Sequence, residues 1–168
     1  MRMYLVISYC LFLISCNSKR NVPVLTRVNH AWLDSVCKSA DTSYIKKYGT
    51  LKFATAEYYI GRKDSIGCQV MKDSSDSIRQ IIITKINRRN FFAEYCPNGQ
   101  LIAQLPLDRF GQYNGASKYF FPNGFVESEG DYKSVLKTGG WKDFDINGKL
   151  ISLNEYDSNG QAIKSMRQ

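Results

Sequence analysis

Asn-Gly pairs recur in the C-terminal half of the chain, among them Asn98-Gly99, Asn123-Gly124, Asn147-Gly148 and Asn159-Gly160, and Gly99, Gly124 and Gly148 are 25 and 24 residues apart. Four residues before each of those three glycines stands an aromatic (Tyr95, Phe120, Phe144), and two residues after each stands an aliphatic (Leu101, Val126, Leu150). Leu107, Tyr132 and Tyr156 follow at eight residues after. A type I′ turn imposes positive φ on both of its central residues, which Asn-Gly tolerates, so the pair between apolar-containing segments marks a β-hairpin. Each unit therefore reads as strand, tight turn and strand, followed by a looser connection such as residues 134–138. One hairpin alone is marginal in water, so neighbouring units must pair edge to edge and share a core, which the repeated aromatic is expected to cover.

Upstream, Leu51–Ile60, Ile66–Met71 and Ile78–Ile86 read as further strands. Within the last of these, the run Ile81-Ile82-Ile83-Thr84 is β-branched throughout, which disfavours a helix. Before them the pattern is partly helical. Val28, Trp32 and Val36 recur on one helical face, and a second helix is expected from the N-cap Asp41 to Gly49, with Lys46 and Lys47 in its last turn. The expected fold is mainly β: an antiparallel meander of hairpin repeats in an elongated twisted sheet, with a short helical N-terminal portion. In a chain of 168 residues, 43% hydrophobic and 13% aromatic content is too apolar for a disordered polymer.

The N-terminus directs the reading of location. Met1-Arg2-Met3 precedes an apolar run from Tyr4 to Ile14, and Ser15-Cys16-Asn17 follows. That order describes a secretory signal peptide. The eleven-residue run is short of the about 20 apolar residues that cross a bilayer. Leu13-Ile14-Ser15-Cys16 resembles the lipobox of bacterial lipoproteins. The resemblance implies cleavage before Cys16, a diacylglyceryl group on its thiol and an acyl chain such as palmitate on its amine. Two or three chains hold a protein on a membrane, whereas one gives marginal binding. An ordinary cleaved signal peptide is the alternative. Asn17-Ser18-Lys19-Arg20 lacks acidic residues just after the cysteine, which points to a periplasm-facing rather than a surface-displayed protein. The organisation is then a signal peptide at 1–15, a basic tether and helix at 16–40, a helix with β-hairpins at 41–89, and hairpin repeats at 90–168.

The segment Gly139-Gly140-Trp141-Lys142-Asp143-Phe144-Asp145-Ile146-Asn147-Gly148-Lys149-Leu150 is similar to the bacterial variant of the MORN repeat, with Tyr156 also in place. A second copy runs from Gly115 to Gly124 and is completed by Glu129 and Tyr132, with Ser117 where the pattern has Trp. A third, around Tyr95-Cys96-Pro97-Asn98-Gly99-Gln100-Leu101, has Asn90 and Phe92 in place of Gly and Trp. The resemblance implies consecutive hairpins in an elongated sheet, with roles in membrane association and partner binding. Some bacterial members are described as antitoxin-type proteins. No catalytic residue transfers, because the repeat supplies none.

Charge is uneven: residues 16–89 carry a net +8 and residues 90–168 a net −1. Lys19, Arg20, Arg27, Arg88 and Arg89 lie in the half next to the lipid and are expected either to face anionic headgroups or simply to be solvated. Export argues against nucleic acid as the partner of this basic chain. A single histidine, His30, excludes multi-His metal sites. His30, Asp34 and Cys37 would share a helical face, but solvated or structural roles are preferred for them, as for the alternating Glu127, Glu129 and Asp131. Cys37, Cys68 and Cys96 could pair or could be buried hydrophobes, and none has C-x-x-C spacing.

These features together describe a lipid-anchored envelope protein acting as a non-catalytic binding or scaffold module, with no cofactor or metal and with another envelope component as partner. Alternation along a strand places Tyr119, Phe121, Trp141 and Asp143 away from the core-facing Phe120 and Phe144, and these form the candidate partner-binding surface. The motif allows Trp141 to be core as well. The alternatives are an envelope enzyme with its site in residues 51–89 and an antitoxin-like partner-binding protein.

Overall fold

The computed structural model describes residues 27–168, apart from residues 51, 63, 64 and 87. The fold is mainly β. Among the described residues, one helix, α1 (His30–Ser39), precedes eleven strands: β1 (Thr42–Lys47), β2 (Thr55–Ile60), β3 (Ile66–Lys72), β4 (Ile78–Lys85), β5 (Arg88–Tyr95), β6 (Leu101–Pro106), β7 (Gly115–Phe120), β8 (Val126–Lys133), β9 (Leu136–Phe144), β10 (Leu150–Tyr156) and β11 (Ala162–Arg167). All eleven form one sheet in sequence order, so every connection is a hairpin between antiparallel neighbours. β1 and β11 are the outermost strands, and every residue in both is exposed.

α1 forms where the apolar spacing predicts it. The Asn29 side chain caps it by accepting the Trp32 N–H at 3.0 Å, and Leu33 and Val36 are buried beneath. Ten residues are too few to be helical alone in water, so packing on the sheet must hold the helix in place. Leu33 and Val36 meet Cys68, Val70, Ile81 and Ala93, and Val28, Trp32 and Tyr59 pack around them.

The second expected helix is a strand. Thr42–Lys47 pairs with β2 from Thr42↔Ile60 to Lys47↔Thr55, and Tyr44 stacks on its partner Tyr58 with ring centroids 4.5 Å apart. Asp41 and Gly49 suit helix ends, but the ladder beside β2 satisfies the same backbone groups and adds the cross-strand stack. Region 41–89 is thus β throughout its assigned elements, with no helix among its described residues.

The repeat pattern maps onto cross-strand pairs. Tyr95↔Leu101, Phe120↔Val126 and Phe144↔Leu150 each flank a turn at the same register. All but Leu150 belong to the core on the helix face or pack against it.

The turns differ from expectation in kind. In residues 96–100, 121–125, 145–149 and 157–161, the first residue accepts the N–H of the fourth and donates its own N–H to the carbonyl of the fifth. Only the glycine has positive φ (81°, 88°, 79° and 77°), so each is a type I turn closed by a left-handed residue rather than a type I′ turn. The same turn recurs at 73–77 and 108–112 without Asn-Gly. Wherever Asp opens it (Asp73, Asp108, Asp145, Asp157), Oδ1 accepts two backbone amides, those of the third and fifth residues. Among the described residues, two neighbours both have positive φ at Ser134 (48°) and Val135 (68°). The supposed looser connection is therefore the tightest hairpin of the repeat region. Asn159-Gly160 lies half a period after Asn147-Gly148, which puts it at the opposite end of the sheet from the other three.

Candidate binding surfaces

The register separates two faces. On the face opposite α1, one row runs Tyr119↔Ser128↔Asp143↔Ser152 across four strands. Asp143 Oδ2 accepts the Ser152 hydroxyl at 2.5 Å and the Asn154 amide at 2.7 Å, and Ser165 donates to Asn154 Oδ1 at 2.7 Å. Beside this polar row runs an aromatic one. Phe92 and Tyr113 have centroids 6.2 Å apart, Tyr113 and Tyr132 5.7 Å, and Tyr132 meets the Trp141 ring edge-on at 5.0 Å. Lys137 Nζ lies 4.0 Å from the Trp141 ring centroid and 5.5 Å from that of Tyr156. The two rows touch where the Tyr119 and Tyr132 hydroxyls meet at 3.1 Å. Burial, and then that hydroxyl contact, holds the Tyr119 phenol above its ordinary pKa.

Of the residues expected on this face, Tyr119 and Asp143 are half-buried and lie in the polar row. Trp141 belongs to the same face but is 0% exposed, which corrects the reading of it as an open contact in favour of the core position that the motif also allowed. Its indole N–H donates to the Asp131 carbonyl at 3.1 Å, and its ring covers Gly130. Ser117, where the MORN pattern has Trp, pairs with Gly130 and is 1% exposed, so one indole roofs ground that a second would have to share. Phe121 lies beyond β7 and opens a turn, apart from the row.

On the helix face, β7–β9 carry Lys118, Glu129 and Lys142 side by side, with Glu129 2.9 Å from Lys118 and 3.4 Å from Lys142. Burial would raise the Glu129 carboxyl, but the hydrogen bonds and charges of Lys118 and then Lys142 outweigh it and hold it below its ordinary value.

A cleft of about 560 Å³ opens between α1 and the sheet, walled by His30, Asp34 and Cys37 on one side and Glu57, Tyr59 and Lys72 on the other. Sequence reasoning set the helical trio aside, and no periodicity links it to residues 20 to 40 positions away. Glu57 and Lys72 form an ion pair at 2.7 Å, 18% and 19% exposed, and the Tyr59 hydroxyl donates to Glu57 at 2.9 Å. Burial would lower the Lys72 ammonium, but Glu57 and then Asp76 keep it above its ordinary value.

Cys16, Lys19 and Arg20 lie outside the described residues. The remaining basic candidates do not share one place. Arg27 bridges Gln100 and donates to the Asn98 carbonyl at 2.9 Å, at the Asn98-Gly99 end of the sheet. Arg88 and Arg89 begin β5 at the other end, about 23 Å away along the strand and well beyond one screening length. There they join Lys85 and Arg109 around a hollow of about 370 Å³. The same end presents exposed apolar tips from three successive turns: Ile86 (57%), Phe110 (72%) and Val135 (50%). Residue patterning in the sequence did not reveal these apolar tips, because they come from connections rather than strands.

No protein-family model matches the chain, and no curated protein matches it. Among solved structures, the chain is similar to that of TarM, with a TM-score of 0.32 and 8% identity over 85% of this chain. It is also similar to a S. aureus TarM point mutant in complex with Fondaparinux, alpha-GlcNAc-glycerol and UDP, with a TM-score of 0.28, 7% identity and 75% of this chain covered. The chain spans 24% of the length of each of those structures, and the likeness carries no functional argument.

Proposed function

We propose that the protein is a lipid-anchored component of the bacterial cell envelope that binds another envelope component through the sheet face opposite α1. The observation that carries this reading is the half-buried polar row of Tyr119, Ser128, Asp143 and Ser152, laid against the packed aromatic row that ends in Trp141. Aromatic side chains already held by their neighbours lose little freedom on binding, and Tyr and Trp are enriched where interfaces concentrate their energy. A photo-crosslinking residue at position 119 or 143, introduced in cells, is expected to capture one shared partner. The same group at Lys118 or Lys142, on the other face, captures none. Equal capture from both faces, or none from position 119 or 143, overturns the reading.

Cys16 supplies the anchor in this proposal, and the mature protein is expected to begin at Cys16 with a mass that includes acyl chains. The edge formed by Lys85, Arg88, Arg89 and Arg109, with Ile86 and Phe110 at its tips, suits an anionic bilayer surface: cations at headgroup level and apolar tips below.

The cleft beside α1 favours a second reading, in which residues of the 51–89 region act on or hold a small polar molecule. Its polar wall of His30, Asp34, Glu57, Tyr59 and Lys72 supports that reading. Chemistry or ligand binding that Lys72→Met abolishes, while capture from position 119 persists, would assign it a separate role.

A further inference from the structure

Two cysteines from distant parts of the chain come together where α1 sits on the sheet, behind the wall of the cleft. Cys37 is on the last turn of α1 and lines the cleft, half-buried. Cys68 is on β3, opposite Tyr59 of β2, and is 2% exposed within the core. Cys37 packs against the buried cluster that contains Cys68, and Tyr59, the cross-strand partner of Cys68, packs there as well. Both sulfurs belong to the contact by which α1 sits on the sheet, where Leu33 and Val36 are the helix's buried apolar residues.

We propose that Cys37 and Cys68 are a redox-active pair that closes to a disulfide and fastens α1 to β3, with Cys37 as the thiol that meets the oxidant. The oxidant is a disulfide, either a small-molecule one or that of a thiol–disulfide oxidoreductase. The Cys37 thiolate attacks one sulfur of that disulfide, whose S–S bond breaks and whose other sulfur leaves as a thiolate and takes up a proton. Cys68 then loses its proton and attacks the Cys37 sulfur of the mixed disulfide, expelling the second thiol. Two protein thiols become one disulfide, and the oxidant's disulfide becomes two thiols carrying the two protons. The order follows from access: Cys37 borders open space, whereas Cys68 does not. Burial, with Cys37 close by, pushes the Cys68 thiol up to about 12, so it ionises reluctantly and resolves the mixed disulfide rather than starting the exchange. Cys96 lies in a turn at 96–100 and takes no part.

The test treats the full chain, purified in detergent, with oxidised glutathione, then alkylates free thiols and maps tryptic peptides without reduction. Cleavage after Arg27 and Lys38, after Lys63 and Lys72, and after Arg89 and Arg109 places the three cysteines in separate peptides. The expected result is a Cys37–Cys68 crosslinked peptide with Cys96 alkylated. Cys68→Ser is expected to accumulate glutathione on Cys37, and Cys37→Ser to leave Cys68 unmodified in a protein that melts cooperatively. Alkylation of both Cys37 and Cys68 in the oxidised wild type, a link to Cys96, or ready glutathionylation of Cys68 in Cys37→Ser overturns the proposal. The inference rests on how α1 packs on β3 and stands apart from the reading of the sheet face.

Discussion

The indole of Trp141 lies on the bare backbone of Gly130: a Cβ built on that glycine would stand 2.4 Å from the nearest ring atom. Ring and backbone cannot both stay where they are once residue 130 has a side chain. Gly130→Ala is therefore expected to destabilise the protein by about 1–3 kcal/mol, the usual cost of overpacking. Trp141→Ala should cost about 3–5 kcal/mol by removing a fully buried aromatic. Denaturant melts of the two variants check both values. A wild-type midpoint for Gly130→Ala contradicts the packing described.

Asp76 holds the left-handed position (φ 62°) that glycine fills in the corresponding turns at 99, 111, 124, 148 and 160. Asp76→Gly removes the strain of a side chain there. The change also removes a 3.4 Å contact to Lys72, but that carboxylate is 83% exposed and the pair contributes little. The net expectation is stabilisation of about 0.5–1 kcal/mol, read as a raised thermal midpoint. Gly148→Ala, in the matching turn, should shift it the other way.

Glu129 links Lys118 and Lys142 across three strands, and its carboxyl is held below the ordinary range. A depressed carboxylate contributes stability above its unfolded pKa, and that contribution disappears as pH falls through the folded one. Glu129→Gln should therefore cost about 0.5–1 kcal/mol at neutral pH. Its deficit against wild type should begin to shrink near about pH 4, the ordinary carboxylate range, and disappear only as pH falls through the lower folded value. A deficit constant from neutral to acid pH would assign the loss to packing instead.

At the basic end of the sheet, a Cys16→Ser chain is expected to retain some affinity for vesicles containing anionic lipid. Arg88→Gln with Arg89→Gln should lower that affinity about tenfold or more, at about 1 kcal/mol for each charge near the surface. Phe110→Asp should lower it at any salt concentration, whereas the arginine effect should fade as salt rises. Co-sedimentation measures both. Vesicle binding indifferent to all three changes would mean that this edge does not meet a bilayer.

What the sequence disclosed depended on whether a feature repeats. The spacing of Tyr95, Phe120 and Phe144 with Leu101, Val126 and Leu150 disclosed both the strands and their register, because each pair sits across the turn it flanks. Strand alternation also placed Tyr119, Trp141 and Asp143 on one face, opposite Phe120. It left open whether Trp141 is a contact or core, since its cover depends on Gly130 one strand away. The segment Thr42–Lys47 carried helix-like ends, and only its partner β2 made it a strand. The cleft escaped notice because its walls come from α1, β2 and β3, which local patterns cannot bring together. The turn type was misjudged for a different reason. Asn-Gly permits two hairpin geometries, and Asp at the first position secures the same turn at 108–112 with no Asn-Gly at all.

The two outermost strands have a further consequence for how copies of the molecule behave toward one another. β1 carries Lys46 and Lys47, and β11 carries Lys164 and Arg167. A copy added margin to margin would have to set these like-signed groups about 5 Å apart, the spacing of paired strands. Cationic borders of this kind oppose the growth of an open ribbon into a fibre, and concentrated salt is the condition under which that opposition would weaken first.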